Sequence, residues 1–148
     1  MSEKQRYLLA GLLIACAPLA GCVPASGSVG SDSRAYKVEA IKGTDLSRVI
    51  VTAEAAKRLD LQTAHVRAVT VNGRPRKVIP YAAIVYDAEG RTWAYTTPAF
   101  LTFVRAPVTV EYVEGDRAVL TDGPAVGSEV VSVGVQELYG TEEEFEEE

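Results

Sequence analysis

Histidine and methionine occur once each in the chain, as His65 and Met1, and cysteine occurs twice, as Cys16 and Cys22. One histidine leaves no pair for a metal, no HExxH is present, and the usual zinc constellations are therefore absent. Copper held through methionines fails as well, because the only methionine is the initiator. No apolar run approaches the roughly 20 residues that a helix needs to cross a bilayer. The longest, Tyr7 to Leu19, is interrupted by small residues and Pro18. A basic face, the usual footprint of nucleic-acid binding, is missing too. Lys and Arg number 15 against 20 Asp and Glu, and the one basic cluster, Arg74-Pro75-Arg76-Lys77, reads as a solvated turn. No nucleic-acid partner is expected.

What is present begins at the N-terminus. Lys4 and Arg6 form a short basic start, the apolar run follows, and Ala20-Gly21 precedes Cys22. That order is the order of a cleavable secretory signal peptide. Leu19-Ala20-Gly21-Cys22 resembles the lipobox of bacterial lipoproteins, in which the thiol takes a diacylglyceryl group and becomes the first residue of the mature protein. The resemblance implies a signal peptide over residues 1–21 and lipidation of Cys22. Cys16 leaves with the signal, so the mature chain has no second cysteine for an internal disulfide. One acyl chain binds a membrane only marginally, but two or three hold it durably.

Loss of Lys4, Arg6 and Glu3 leaves 13 basic against 19 acidic side chains, a net charge of −6. Six of the acids fall in the last seven residues, Glu142 to Glu148, broken only by Phe145. Such a run predicts a solvated, disordered tail over 141–148. The Ser-, Gly- and Ala-rich stretch over 22–37 has the composition of a flexible tether. Residues 38–140 remain for one domain, enough for a single core and too few for two.

Within that domain the signals are mostly those of β-structure. Ser47 to Val51 is β-branched, and Thr52 is placed to cap one short helix reaching Leu59, with Glu54 near the positive end of its dipole. Asn72-Gly73 supplies a turn tolerant of positive φ between two strand-like runs. Asp87-Ala88-Glu89-Gly90, Glu114-Gly115-Asp116 and Asp122-Gly123-Pro124 punctuate further strands, the last at Val130 to Val135. Turns at this spacing predict a mainly β fold: a small antiparallel barrel, roll or sandwich with one short helix. Leu101 and Phe103 share one parity whereas Val108, Val110 and Tyr112 share the other, which predicts a register shift near Pro107. The expected core is Val49, Val51, Leu59, Val66, Ile84, Trp93, Tyr95, Phe103, Val110, Leu120, Val131 and Val133.

Chemistry-bearing patterns are sparse. His65 lies alone among strand residues, and Asp87, Glu89 and Asp116 sit in turn sequences without the alternation of a calcium loop. Gly123, Gly127 and Gly134 are isolated, Ser128 and Ser132 lack a nucleophile-elbow context, and the aromatics Tyr81, Tyr86, Trp93, Tyr95 and Phe103 read first as core. No catalytic, cofactor or metal site is expected, and Cys22 is the one modification site.

From Val78-Ile79-Pro80-Tyr81 through Gly90-Arg91-Thr92-Trp93-Ala94-Tyr95, Phe103 to Val110, Gly115-Asp116, Gly127 to Gly134 and on to Glu137-Leu138-Tyr139-Gly140, the chain resembles the periplasmic adaptor subunits, or membrane fusion proteins, of RND-type efflux systems. The residues Val51 to Ala64 look like the adaptor segment that opens the same membrane-proximal β-domain. In a full adaptor a lipoyl domain, a helical hairpin and a barrel separate these pieces, whereas here a short link around 67–77 joins them. The resemblance implies an accessory module that contacts an RND-type transporter or another envelope protein and cannot itself bridge two membranes. A free-standing envelope lipoprotein binding a small ligand is the alternative. With Val23 rather than Asp after the anchor, the expected location is the outer membrane in a two-membrane cell. In a single-membrane cell it is the outer face of that membrane.

Overall fold

The structure is a computed structural model, and it describes residues 35–146. The predicted signal peptide, Cys22 and nearly all of the predicted tether lie outside the described residues. The elements run β1 (Tyr36–Ala40), β2 (Ser47–Val51), α1 (Ala53–Arg58), β3 (Gln62–His65), β4 (Arg67–Val71), β5 (Arg74–Pro80) and, after a 3-10 turn at Tyr81–Ala83, β6 (Val85–Tyr86). They continue as β7 (Thr92–Ala99), β8 (Thr102–Pro107), β9 (Thr109–Glu114), β10 (Arg117–Asp122), β11 (Glu129–Val133) and α2 (Val135–Glu146).

All strand pairs are antiparallel, and they form two sheets. The larger runs β1-β2-β8-β7-β11-β3, with β6 beside β7, and the smaller runs β4-β5-β10-β9. The mainly β class and the capped helix are as the sequence predicts: Thr52 Oγ1 accepts the Ala55 N–H at 3.1 Å. Among the described residues the sheets do not close into a barrel, and β1, β3, β4 and β9 are left as edges.

Two valines make the corners between sheets. Val66 joins β3 to β4, its N–H donating to the Ser128 carbonyl while its own carbonyl accepts from Gly127. Val108 joins β8 to β9, its N–H donating to the Thr92 carbonyl. Strands that bend from one sheet to the next in this way set the two sheets at an angle. The second corner is the predicted parity shift after Pro107. Phe103 and Arg105 are buried before it, and Val108 after it.

The core has two compartments, one on each face of the larger sheet. Tyr95, Phe103, Val49, Val51 and Val131 pack against Ala55 of α1 and Val135 and Leu138 of α2. Ala94 and Val130, pointing the other way, meet Ile79, Ala118 and Leu120 of the smaller sheet and both corner valines. The order of layers is therefore helices, large sheet, small sheet. Asn72 and Gly73, at φ 49° and 72°, close the β4–β5 hairpin with the two positive values that a type I′ turn requires.

Four expectations are corrected. The strand β1 begins at Tyr36, so the last residues assigned to the tether belong to the sheet. The acidic end is not a disordered tail as far as Glu146: residues 135–146 are helical, and Glu142 is completely buried. Val133 is 38 % exposed because a bulge after Val131 breaks the alternation that would have placed both inside. Leu59, Trp93 and Val110 are half-buried rather than central.

Candidate functional site

Strand alternation puts Arg105, two residues after Phe103, on the helix-facing side of β8, where it is 7 % exposed. A guanidinium in that place needs a carboxylate, and α2 brings one. Arg105 Nε lies 3.0 Å from Glu142 Oε2, and the outer carboxylate of Glu143 stands 3.8 Å from Nη1. Tyr95 donates its hydroxyl to the same Glu142 oxygen at 2.5 Å. Burial, reinforced by the neighbouring Glu142 charge, pushes the Tyr95 phenol far up, so it stays a donor. The Arg105 guanidinium also lies over Trp93 and Tyr139, at 5.4 and 5.6 Å from the ring centroids.

From Trp93 the network runs outward. Its indole N–H donates to Asp87 Oδ2 at 2.9 Å, and Arg91 donates to the same oxygen at 2.6 Å. Asp87 Oδ1 accepts the backbone N–H groups of Glu89 and Arg91. Burial alone would raise this carboxyl, but the donors from Trp93 and Arg91 outweigh it and hold Asp87 below the ordinary carboxylate range. The whole array clamps α2 and the Asp87–Arg91 turn onto the large sheet. It is an architectural site whose side chains serve one another.

An open surface lies elsewhere. Where the chain turns the Val66 corner, a groove of about 410 Å³ lies between β3 and the end of β5, with Val78, Ile79 and Pro80 as its floor. His65, Arg67, Asp116 and Arg117 form its rim. His65 is exposed; its Nδ1 lies 3.3 Å from the Gly127 carbonyl and its Nε2 3.9 Å from Glu129. Among the described residues the carboxylates nearest Arg117 are distant, Glu114 at 3.9 Å and Asp116 at 4.0 Å. An apolar floor, a rim with more positive than negative groups and two strand edges suit an extended, partly acidic segment.

The structure separates the candidate residues of the sequence. His65 and Asp116 border this groove, Asp87 and Glu89 both engage Arg91, and His65 and Asp87 share no partner. Among the described residues no three metal-ligating side chains converge. Ser128 and Ser132 donate to the carbonyls of Ala125 and Gln62. Gly134 sits at φ 82° just before α2, where a Cβ would lie 2.1 Å from the tip of the Leu61 side chain and force it to move. Of the aromatics, Trp93 and Tyr95 enter the clamp, whereas Tyr81 and Tyr86 are exposed.

The Arg105–Glu142 pair was readable in two places. Val135, Leu138 and Glu142 fall at helical spacing on one face, which puts an acid at a core position. Arg105 continues the inward parity of Leu101 and Phe103. No helix among the described residues is long and apolar enough to cross a membrane. The chain matches no family model, and no curated protein or solved structure is significantly similar to it.

Proposed function

We propose that the chain is a lipid-anchored cell-envelope module, held through Cys22, that works by binding a protein partner in a transport or efflux assembly rather than by turnover. The supporting observation is that the two segments similar to adaptor sequence belong to one body. From the first segment, β3 pairs with β11, Val51 donates its N–H to the Leu101 carbonyl, and Ala55 packs among Val131, Val135 and Leu138. The β4–β5 hairpin that links the segments is itself the edge of the small sheet, so a short connection suffices where an adaptor carries whole modules. The groove at the Val66 corner supplies a surface for the partner.

Two measurements test this. Cys22→Ser should move the protein from the membrane fraction to the aqueous one, and crosslinking from the groove rim in intact cells should recover a transporter or another envelope protein. Unchanged fractionation sinks the anchor, and recovery of the protein alone across mild detergents sinks the partner. The same groove gives the alternative its one specific support, since its volume is also that of a small-ligand site. Specific retention of a small molecule by the partner-free protein favours that alternative.

A further inference from the structure

The geometry points to a second copy of this chain as the occupant of the free β1 edge, paired antiparallel about Val38. Among the described residues the large sheet ends at β1. Tyr36 faces Val51 and Ala40 faces Ser47, and the flanking bonds run from Thr52 N–H to the Ala35 carbonyl and from Ile41 N–H to the Leu46 carbonyl. In an antiparallel ladder that pattern marks Tyr36–Val51 and Ala40–Ser47 as non-hydrogen-bonded pairs. Lys37 and Glu39 therefore turn their backbone groups toward β2, while Tyr36, Val38 and Ala40 turn theirs to the open edge.

Two such edges fit each other. About a two-fold axis at Val38, the outward N–H and carbonyl groups of Val38 meet those of its copy, and Tyr36 meets Ala40 of the other chain. Lys37 then falls opposite Glu39 in non-hydrogen-bonded positions, where the side chains stand closest. The charges already present extend this row. Glu39 faces Arg48 on β2, with 3.5 Å between their charged groups, so the copy's Lys37 would complete an alternating series. At present Lys37 reaches Glu39 of its own strand at 2.7 Å with its side chain 70 % exposed, a surface pair of small worth and easily exchanged. On the helix side, Tyr36 and Phe145 are 40 % and 43 % exposed and border a groove of about 510 Å³ along the same edge. Pairing would cover that apolar wall.

A five-residue edge makes a small interface, so the association belongs with weak, transient contacts. The test uses the whole chain purified in mild detergent, in two differently tagged forms, with carbodiimide coupling of adjacent amines and carboxylates. The wild-type forms should couple to each other through Lys37 and Glu39. Lys37→Glu or Glu39→Lys alone should each lower that yield about tenfold, since each places like charges opposite one another twice. Mixing the Lys37→Glu form with the Glu39→Lys form should restore it, because every facing pair is again opposite in sign; only folded chains can show that recovery. Ala40→Pro, which removes an outward N–H and leaves the β2 ladder intact, should abolish coupling while the melting temperature holds. A wild-type chain that stays monomeric, a yield indifferent to these changes, or a mixture that fails to recover overturns the proposal. Coupling of β1 to a different envelope protein in place of a second copy also overturns it.

Discussion

Replacing Glu142 with Leu asks how much of the fold rests on one buried ion pair. The carboxylate is fully buried, is met by the Arg105 guanidinium at 3.0 Å, and accepts the Tyr95 hydroxyl. Leu fills a similar volume, so little cavity arises and the cost is electrostatic. Arg105 would keep, among its contacts, the outer Glu143 carboxylate at 3.8 Å and the faces of Trp93 and Tyr139. Removing one partner of a buried pair costs about 3–5 kcal/mol, and the stranded Tyr95 hydroxyl adds about 1–3 kcal/mol. Glu143 and the two rings recover part of this, which puts Glu142→Leu at roughly 3 kcal/mol. Arg105→Met should cost about as much, since it takes the guanidinium away from a buried carboxylate. The triple variant is the discriminating one: with both charges gone and Tyr95→Phe added, the loss should fall to about 1 kcal/mol, because apolar packing replaces buried pairs nearly without penalty. Urea unfolding of the four proteins at pH 7 gives the numbers, with α2 helicity followed by circular dichroism. A Glu142→Leu protein within 0.5 kcal/mol of wild type, or a combined variant as unstable as the sum of its parts, would refute the reasoning.

The remaining predictions concern pH and backbone. Asp87 has a folded-state pKa below its ordinary value of 3.8, so it adds stability above that value and loses it as pH falls through the lower folded one. Asp87→Asn should therefore be less stable than wild type at pH 7, with the two converging as pH falls into the acid range; a gap that does not narrow with falling pH contradicts the assignment. Gly134→Ala forces a Cβ against Leu61 at a left-handed φ of 82°, and should cost about 2–4 kcal/mol in urea melts, partly relieved by adding Leu61→Ala. Phe103→Ala opens the core under the helices and should cost about 3–5 kcal/mol, measured in the same way.

Local chemistry decided much of this molecule before any long-range contact. The alternation of Val49 and Val51, the Thr52 cap, the Asn72-Gly73 turn and the parity break at Pro107 are consequences of residues within a few positions of one another, and each is found where the sequence predicts it. The β class follows from them, as does Cys22 as the modification to test. What only the tertiary structure decided is where non-neighbours meet. Glu142 lies in a run of six glutamates that local rules read as solvated, and it becomes a core residue because Arg105, Tyr95 and Trp93 wait under α2. The same holds for the edges. A strand's free side is set by its neighbours in the sheet, so the outward groups of β1 and the groove between β3 and β5 come into being only when the two sheets assemble. Hydrogen-bond direction and burial are properties of the assembled sheets, whereas caps, turns and alternation belong to the chain itself.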